Sequence, residues 1–550
     1  MTEQHFLRPS GRLSPLVVSA FLVALLAGLP VASVGFNLFL GGTSETWAHL
    51  VATVLPDYVL NSLALCAGVG IGVAIVGVAT AWLTAMHDFP GRRVFEWALV
   101  LPLAVPAYVM AYVYTDFLQF VGPVQTALRE FFDWRRGDYH FPDIRTLPGA
   151  MLMFVFVLYP YVYLLARTAF LERAGGVLEA SRTLGIGPWR AFFTVSLPLA
   201  RPAIAAGVAL ALMETLADYG TVAYFAVNTF TTGIYRAWFS LGDRIASAQL
   251  AAMLLGFVLL LVAVERITRG RARYHNTSNR HRPPPGRLKG GAGLLAMLTC
   301  LLPLSLGFLL PAMLLLRMAL GEGDAQFGER FLILARNSFT LAGLTSVIAV
   351  ALAVLLAYSA RLSASWLAKG LNRLVGLGYA VPGTVIAVGV LIPVTRLDNW
   401  LASQWQAWFG VNPGLLLTGG IAALIYAYLV RFLAVALQTV EASLSKITPS
   451  MDDAARSLGL GQGETLRRVH VPILRGSLLT ASLLVFVDVM KELPATLVMR
   501  PFNFDTLATQ AYVLASDERL TEASTAALAI VMVGLLPLIA LSRQISRTRK

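Results

Sequence analysis

Four carboxylates stand inside apolar stretches of this sequence, where charge is expensive. Glu214 and Asp218 lie four residues apart in LMETLADYGTVAYF. Asp488 and Glu492 lie four apart in FVDVMKELPATLVM, with Lys491 beside them. That spacing predicts one helical face for each pair. An ionisable side chain within a membrane span costs about 2.5–3.5 kcal/mol on insertion scales and ordinarily faces a bundle interior or a water-filled path. Hard cations prefer carboxylate and other oxygen ligands, and Tyr219, Tyr224, Tyr108 and Tyr112 could add phenolic oxygens. The chemistry this predicts is passage of a cation, with Glu214 and Asp488 as transient metal ligands. An acidic lining suits sulfate, molybdate or phosphate less. The same four acids would also serve as an inter-helix network, with Lys491 and arginines offsetting part of their charge.

The elements that must position these acids are membrane helices. The chain has 550 residues, 57% of them hydrophobic and only 13% charged, too apolar for an ordinary soluble globule. Apolar runs of the length that crosses a bilayer core fall near 15–40, 59–84, 96–118, 149–171, 202–226 and 247–265. They recur near 291–318, 338–360, 371–394, 414–437, 476–499 and 525–542. Six and six predict an all-α integral membrane protein of about 12 transmembrane helices. Pro106 and Pro382 lie within their runs and could kink them, while Gly68 and Gly72 form a small-residue pair suited to helix packing.

The two sets of six are copies. EASRTLGIGPWRAFFTVSLP at 179 to 198 matches DAARSLGLGQGETLRRVHVP at 453 to 472, 274 residues later. The register continues through Arg201 and Arg475, Glu214 and Asp488, Asp218 and Glu492, Phe230 and Phe504, and Thr232 and Thr506. Upstream, at an offset of 276, Asn61-Ser62 matches Asn337-Ser338 and Pro106 matches Pro382. Repeats of this length indicate duplication of a whole domain, and parallel repeats in one chain are a transporter architecture with pseudo-two-fold symmetry. The division expected is a first half at 1–268, a basic linker at 269–289 and a second half at 290–550.

Positive charge orients the chain. The net charge is +13, but it is concentrated rather than spread over a nucleic-acid-binding face. Arg266, Arg269, Arg271, Arg273, Arg280, Arg282, Arg287 and Lys289 cluster between the halves, and the loop from Gly41 to Tyr58 has no Lys or Arg. Basic short loops stay cytoplasmic, so the linker, both termini and both repeated loops are expected inside. The loop from Leu118 to Pro148 carries four arginines yet falls outside; it is long and balanced by acids. Cys66 and Cys300 lie in apolar segments, which leaves no disulfide framework or thiolate metal site. No Gly-Lys dipeptide occurs, hence no phosphate-cradling loop, and HExxH, GxSxG and CxxC patterns are absent. An enzyme reading has no residues to rest on.

The repeated loop is predicted as a short docking helix. Val177, Ala180 and Leu184, and in the second copy Met451, Ala454 and Leu458, recur at helical spacing. Gly185 and Gly459 then suit the left-handed position that ends a helix. Pro198 and Pro472 suit entry to the next span. Glu179-Ala180-Ser181 with Gly185, and Asp453-Ala454-Ala455 with Gly459, resemble the cytoplasmic coupling motif of ABC importer permeases. The departures are Ser181 for Ala, Asp453 for Glu and Val471 for Leu. The stretches 213 to 244 and 488 to 508, with PAYVMAYVYTDFLQ and LPGAMLMFVFVLYPYVYLLAR, resemble the fused permeases of ferric-iron ABC importers over nearly the whole chain.

That resemblance implies a bacterial inner-membrane permease whose two loops each engage one copy of an ABC ATPase subunit. A periplasmic ferric-iron-binding protein would deliver the cargo. ATP and Mg would be used by the partner ATPase, with no cofactor bound by this chain. The residues themselves predict the substrate pathway, through Glu214, Asp218, Tyr219, Asp488, Lys491 and Glu492. Thiamine or a polyamine would suit the same machine, and six-plus-six duplication with midplane charge also fits an ion-coupled secondary transporter.

Overall fold

The computed structural model describes residues 15–40, 45–135, 137–183, 187–269, 286–321, 328–363 and 366–547. Among them, eleven helices are long and apolar enough to cross a membrane, and one further helical pair is bent by 91° between Arg92–Ala104 and Ala107–Phe132. The spans are α1 (Pro15–Leu40), α2 (Leu55–Met86), the bent α3, α4 (Leu147–Thr183), α5 (Trp189–Ala217) and α6 (Arg244–Arg269). They continue with α7 (Gly291–Gly321), α8 (Glu329–Ser363), α9 (Gly383–Phe409), α10 (Ala422–Leu444), α11 (Gln462–Met490) and α12 (Leu520–Arg547). The one strand pair among the described residues, His87–Asp88 with Gly286–Arg287, is parallel and two residues long. Large apolar side chains such as Ile71, Ile75, Leu260, Leu295, Val347 and Leu479 point outward. A helix whose outer face meets lipid hydrocarbon has no reason to hide leucine or isoleucine.

The expected kinks at Pro106 and Pro382 are full breaks. Each proline has extended backbone, with ψ of 144° and 143°, and caps a new helix after a short 3-10 turn. Proline restricts the residue before it and lacks an N–H, so a helix ends before it more readily than it continues through it. Pro198 and Pro472 behave in the opposite way. The helices begin at Pro188 and Gln462, well before those prolines, and run through them. A π-turn absorbs each: the Leu197 N–H reaches back to Phe192 O and the Val471 N–H to Leu466 O. One extra residue per turn just before the proline lets α5 and α11 continue where an α-turn would meet a ring.

The described chain divides into two compact units that cut across the repeat. One comprises described residues of Met1–Phe39 with Ser338–Ala495 and Met499–Phe504; the other comprises Leu40–Asn337, Thr496–Val498 and Asp505–Lys550. In the first unit α1 lies against second-half helices, with Tyr426 Oη donating to Leu26 O at 2.6 Å and Ser359 Oγ to Leu16 O at 2.9 Å. In the other unit α7 and α12 pack on first-half elements, and Tyr114 Oη donates to Leu306 O at 2.6 Å.

Within that second unit α2 and α4 make the largest helix contact. Gly68 and Gly72 form its seam: a Cβ on Gly72 would fall 2.4 Å from Val155 Cγ2, and one on Gly68 2.4 Å from Met151 Sδ. The repeat is visible in bonds as well. Asn61 Nδ2 donates to Asn228 O at 2.9 Å, and Asn337 Nδ2 to Asp505 O at 3.0 Å. Thr229 with Thr232, and Thr506 with Thr509, form the same reciprocal helix cap. These pairs overturn the ungapped register of the sequence at its far end, where Thr232 corresponds to Thr509 rather than Thr506, because the second copy is three residues longer before this turn.

Candidate functional site

The second repeated loop is a separate helix, Pro449–Ser457, with Pro449 at its first turn after the extended Thr448. It ends as the glycine predicts. Gly459 has φ +79°, its N–H bonds to Arg456 O at 3.0 Å, and the Leu460 N–H bonds to Ala455 O at 3.1 Å. That two-bond pattern satisfies carbonyls the helix would otherwise leave open, and the left-handed residue costs little because it has no Cβ. Ala455 is buried, and Asp453 lies outside with Arg456 at 3.4 Å. The apolar stripe faces outward: Ala454 is exposed, Met451 is 45% exposed and Leu458 80%. In the first copy Glu179, Ala180 and Ser181 form the last turns of α4, a helix of 37 residues, so this loop continues a span instead of standing apart. Gly185 and Leu184 lie outside the described residues.

The acid pairs do not share helical faces as their spacing predicts. Glu214 is half-buried on α5, but α5 stops at Ala217, and Asp218 takes extended backbone with ψ 137°. Its carboxylate accepts from the Thr221 N–H at 2.8 Å, Thr221 Oγ1 at 3.1 Å and the Val222 N–H at 3.3 Å, capping the short helix Gly220–Tyr224. In the other unit, Asp488 stays on α11, Lys491 caps its end, and Glu492 follows. Lys491 Nζ is 3.0 Å from Asp488 Oδ1. Glu492 Oε1 accepts from the Ala495 N–H at 3.0 Å and faces Arg431 Nη1 at 3.4 Å, both side chains almost fully buried. Gly383 leaves room for that pair, since a Cβ there would fall 2.6 Å from the Glu492 oxygen. Asp218 and Glu492 therefore do the same job, each starting the short helix after a broken span with its own carboxylate.

Tyr219 lines a cavity of about 260 Å³ with Tyr235, Tyr512, Asn228, Thr232 and Arg236. Its ring centroid lies 4.5 Å from that of Tyr235 and 5.8 Å from that of Tyr512. Tyr224 receives a hydrogen bond from Arg145 Nη2 at 3.3 Å, and Tyr108 and Tyr112 are buried in Ala107–Leu118. Among the described residues no three His, Cys, Asp or Glu side chains converge as a metal site. Glu214 and Asp488, the two expected transient ligands, belong to different compact units.

Among the charged residues that the structure buries, Arg431, Asp398 and Glu96 were passed over by sequence reasoning. Arg431 is the one cation in the stretch IYAYLVRFLAVAL, and its repeat equivalent is Val157, so the repeat does not mark it. Asp398 is fully buried and accepts from the N–H groups of Leu416, Leu417 and Thr418 at 2.7, 3.0 and 2.8 Å. A single acid in TRLDNW was the available sign.

The family model for the binding-protein-dependent transport system inner membrane component matches residues 74–273 and again 349–550. The chain belongs to that family, as two fused copies. This permease is 27% identical over 535 residues to the Fe(3+)-transport system permease protein FbpB 2 of Haemophilus influenzae, covering 95% of this chain and 97% of that protein. It is 22% identical over 513 residues to the ferric transport system permease protein FbpB of Actinobacillus pleuropneumoniae, covering 88% and 71%. It is 31% identical over 207 residues to the molybdenum transport system permease protein ModB of Escherichia coli strain K12, covering 36% of this chain and 87% of that protein. The permease is thus the multi-pass inner-membrane component of an ABC importer.

Proposed function

We propose that this permease carries ferric iron, delivered by a periplasmic iron-binding protein and driven by ATP hydrolysis on two copies of a partner ATPase. The observation that carries the cargo is the match to a ferric permease along 95% of this chain; the match to the molybdenum relative covers 36% of it. The carboxylates of Glu214 and Asp488 suit a hard cation in transit. The outward stripe of Met451, Ala454 and Leu458 suits burial in a groove of an ATPase, and the α4 end at Glu179, Ala180 and Ser181 would serve the other copy. In this reading residues 1–268 and 290–550 are the two halves, the 269–289 linker and both termini are cytoplasmic, and Mg-ATP binds to the partner and not to this chain.

The test is uptake of radiolabelled ferric iron by iron-starved cells lacking this chain, with and without its restoration, against labelled thiamine. Restored ATP-dependent iron uptake is expected, together with its loss in the Glu214→Ala/Asp488→Ala variant at unchanged complex assembly. Restored thiamine uptake alone would move the cargo to organic cations. Transport that persists without ATP under an ion gradient would replace the machine itself.

A further inference from the structure

The second repeated loop is attached to its spans by charged contacts concentrated at one carboxylate. Asp452 lies on the inner face of the loop helix Pro449–Ser457. Its Oδ2 accepts from Arg361 Nε at 2.9 Å and Arg361 Nη2 at 2.8 Å, and its Oδ1 lies 2.7 Å from His470 Nε2. Arg361 belongs to α8 and His470 to the π-turn of α11. The same guanidinium donates to the carbonyls of Leu444 and Ile447 at 3.0 Å each, closing the end of α10. His470 is fully buried, and its ring packs against Tyr358 of α8, whose hydroxyl donates to Gln462 O at 2.8 Å. One charged cluster thus ties the loop helix to three spans.

The repeat supplies the comparison. At the offsets of 276 and 274 the equivalents of Arg361, Asp452 and His470 are Ala85, Leu178 and Ser196, none of which can carry this charge. Where Tyr358 stands in the second copy, the first has Trp82, packed on Phe170 and Phe192 at 5.2 and 4.7 Å. The first copy thus lacks the three residues of the cluster, and its described part continues α4 to Thr183; the second loop is a separate helix held by ions and hydrogen bonds. Charge-assisted bonds in a largely buried setting hold their geometry far more rigidly than apolar packing.

We propose that Arg361, Asp452 and His470 are the positioning residues of a transmission joint, through which displacement of the second loop helix is carried into α8, α10 and α11. The two ATPase contacts are then mechanically unequal: the second depends on this cluster and the first does not. The inference rests on the reading of this chain as an ATP-driven permease.

The experiment reconstitutes the permease, its ATPase and its binding protein in proteoliposomes and measures ATP hydrolysis and radiolabelled ferric iron uptake together. Two variants are compared with wild type: Asp452→Asn, and the triple Arg361→Ala/Asp452→Leu/His470→Ser, which installs the residues the first half carries in its own equivalent place. Expected in both is an intact complex, hydrolysis within about two-fold of wild type, and iron carried per ATP reduced about ten-fold, the size of a typical coupling change. Uptake and hydrolysis falling in equal proportion would make the cluster a merely structural brace and overturn the proposal. So would unchanged uptake, or loss of the ATPase from either variant. A wild-type complex that moves no iron with ATP would instead refute the proposed function, so the two failures read out in different samples.

Discussion

At the scale of single residues, Asp218 and Glu492 show how one position of a repeat can keep its role and change its partner. Both start a short helix after a broken span, but only Glu492 has a buried guanidinium, Arg431, at 3.4 Å. Removing one member of such a pair leaves a buried charge and costs about 3–5 kcal/mol, whereas replacing both with apolar side chains is often nearly neutral. Arg431→Met and Glu492→Leu should therefore each lower the apparent Tm of the purified permease more than the double variant does. Strict additivity of the two losses would show that the pair does not interact. Gly459 gives a second expectation. A side chain at φ +79° costs about 1–2 kcal/mol for most residues and less for asparagine. Gly459→Ala should weaken ATPase co-purification more than Gly459→Asn at equal membrane insertion; equal retention of the ATPase by both would remove the glycine's role. The residue types were legible in the sequence, but their faces were not. Apolar residues run on through 219–227, so a hydropathy window reads one span to 226, although Asp218, Tyr219 and Gly220 held the signs of a cap and a turn.

At the scale of elements, span length and apolar content carried nearly all the prediction, because a bilayer core sets a length that few other environments demand. What composition could not show is how helices treat proline. Pro106 and Pro382 stop their helices, while Pro198 and Pro472 are threaded by π-turns, and local sequence alone does not separate the two outcomes. Close helix approach was better marked. On α2, a Cβ at Gly72 would meet Val155 Cγ2 at 2.4 Å, whereas one at Gly70 would find its nearest atoms at 3.6 Å. Valine has little rotamer freedom with which to yield, and overpacking costs about 1–3 kcal/mol. Gly72→Ala should lower the apparent Tm by several degrees and Gly70→Ala should not. Equal Tm values for the two would show that the seam between α2 and α4 is not tightly packed.

At the scale of the whole molecule, the duplication was readable because charge and glycine recur at fixed offsets in an otherwise monotonous apolar sequence. The compact units were not, because a lipid-facing helix such as α1 carries no residue code for the neighbour it packs against. Under the proposed function the duplication also implies a stoichiometry. A chain with two loops that each resemble a coupling motif needs no second permease, so one copy of this chain should purify with two copies of the ATPase. Native mass spectrometry of the detergent-extracted complex measures that ratio directly. The unequal loops make the ratio informative: if the continuous α4 end at Glu179, Ala180 and Ser181 were only an interfacial helix, one ATPase would remain, bound to Pro449–Ser457 with its exposed Met451 and Leu458. A second copy of the permease with two ATPases would mean that each chain supplies one working loop, and the repeat would then be a relic of duplication and not a pair of docking sites.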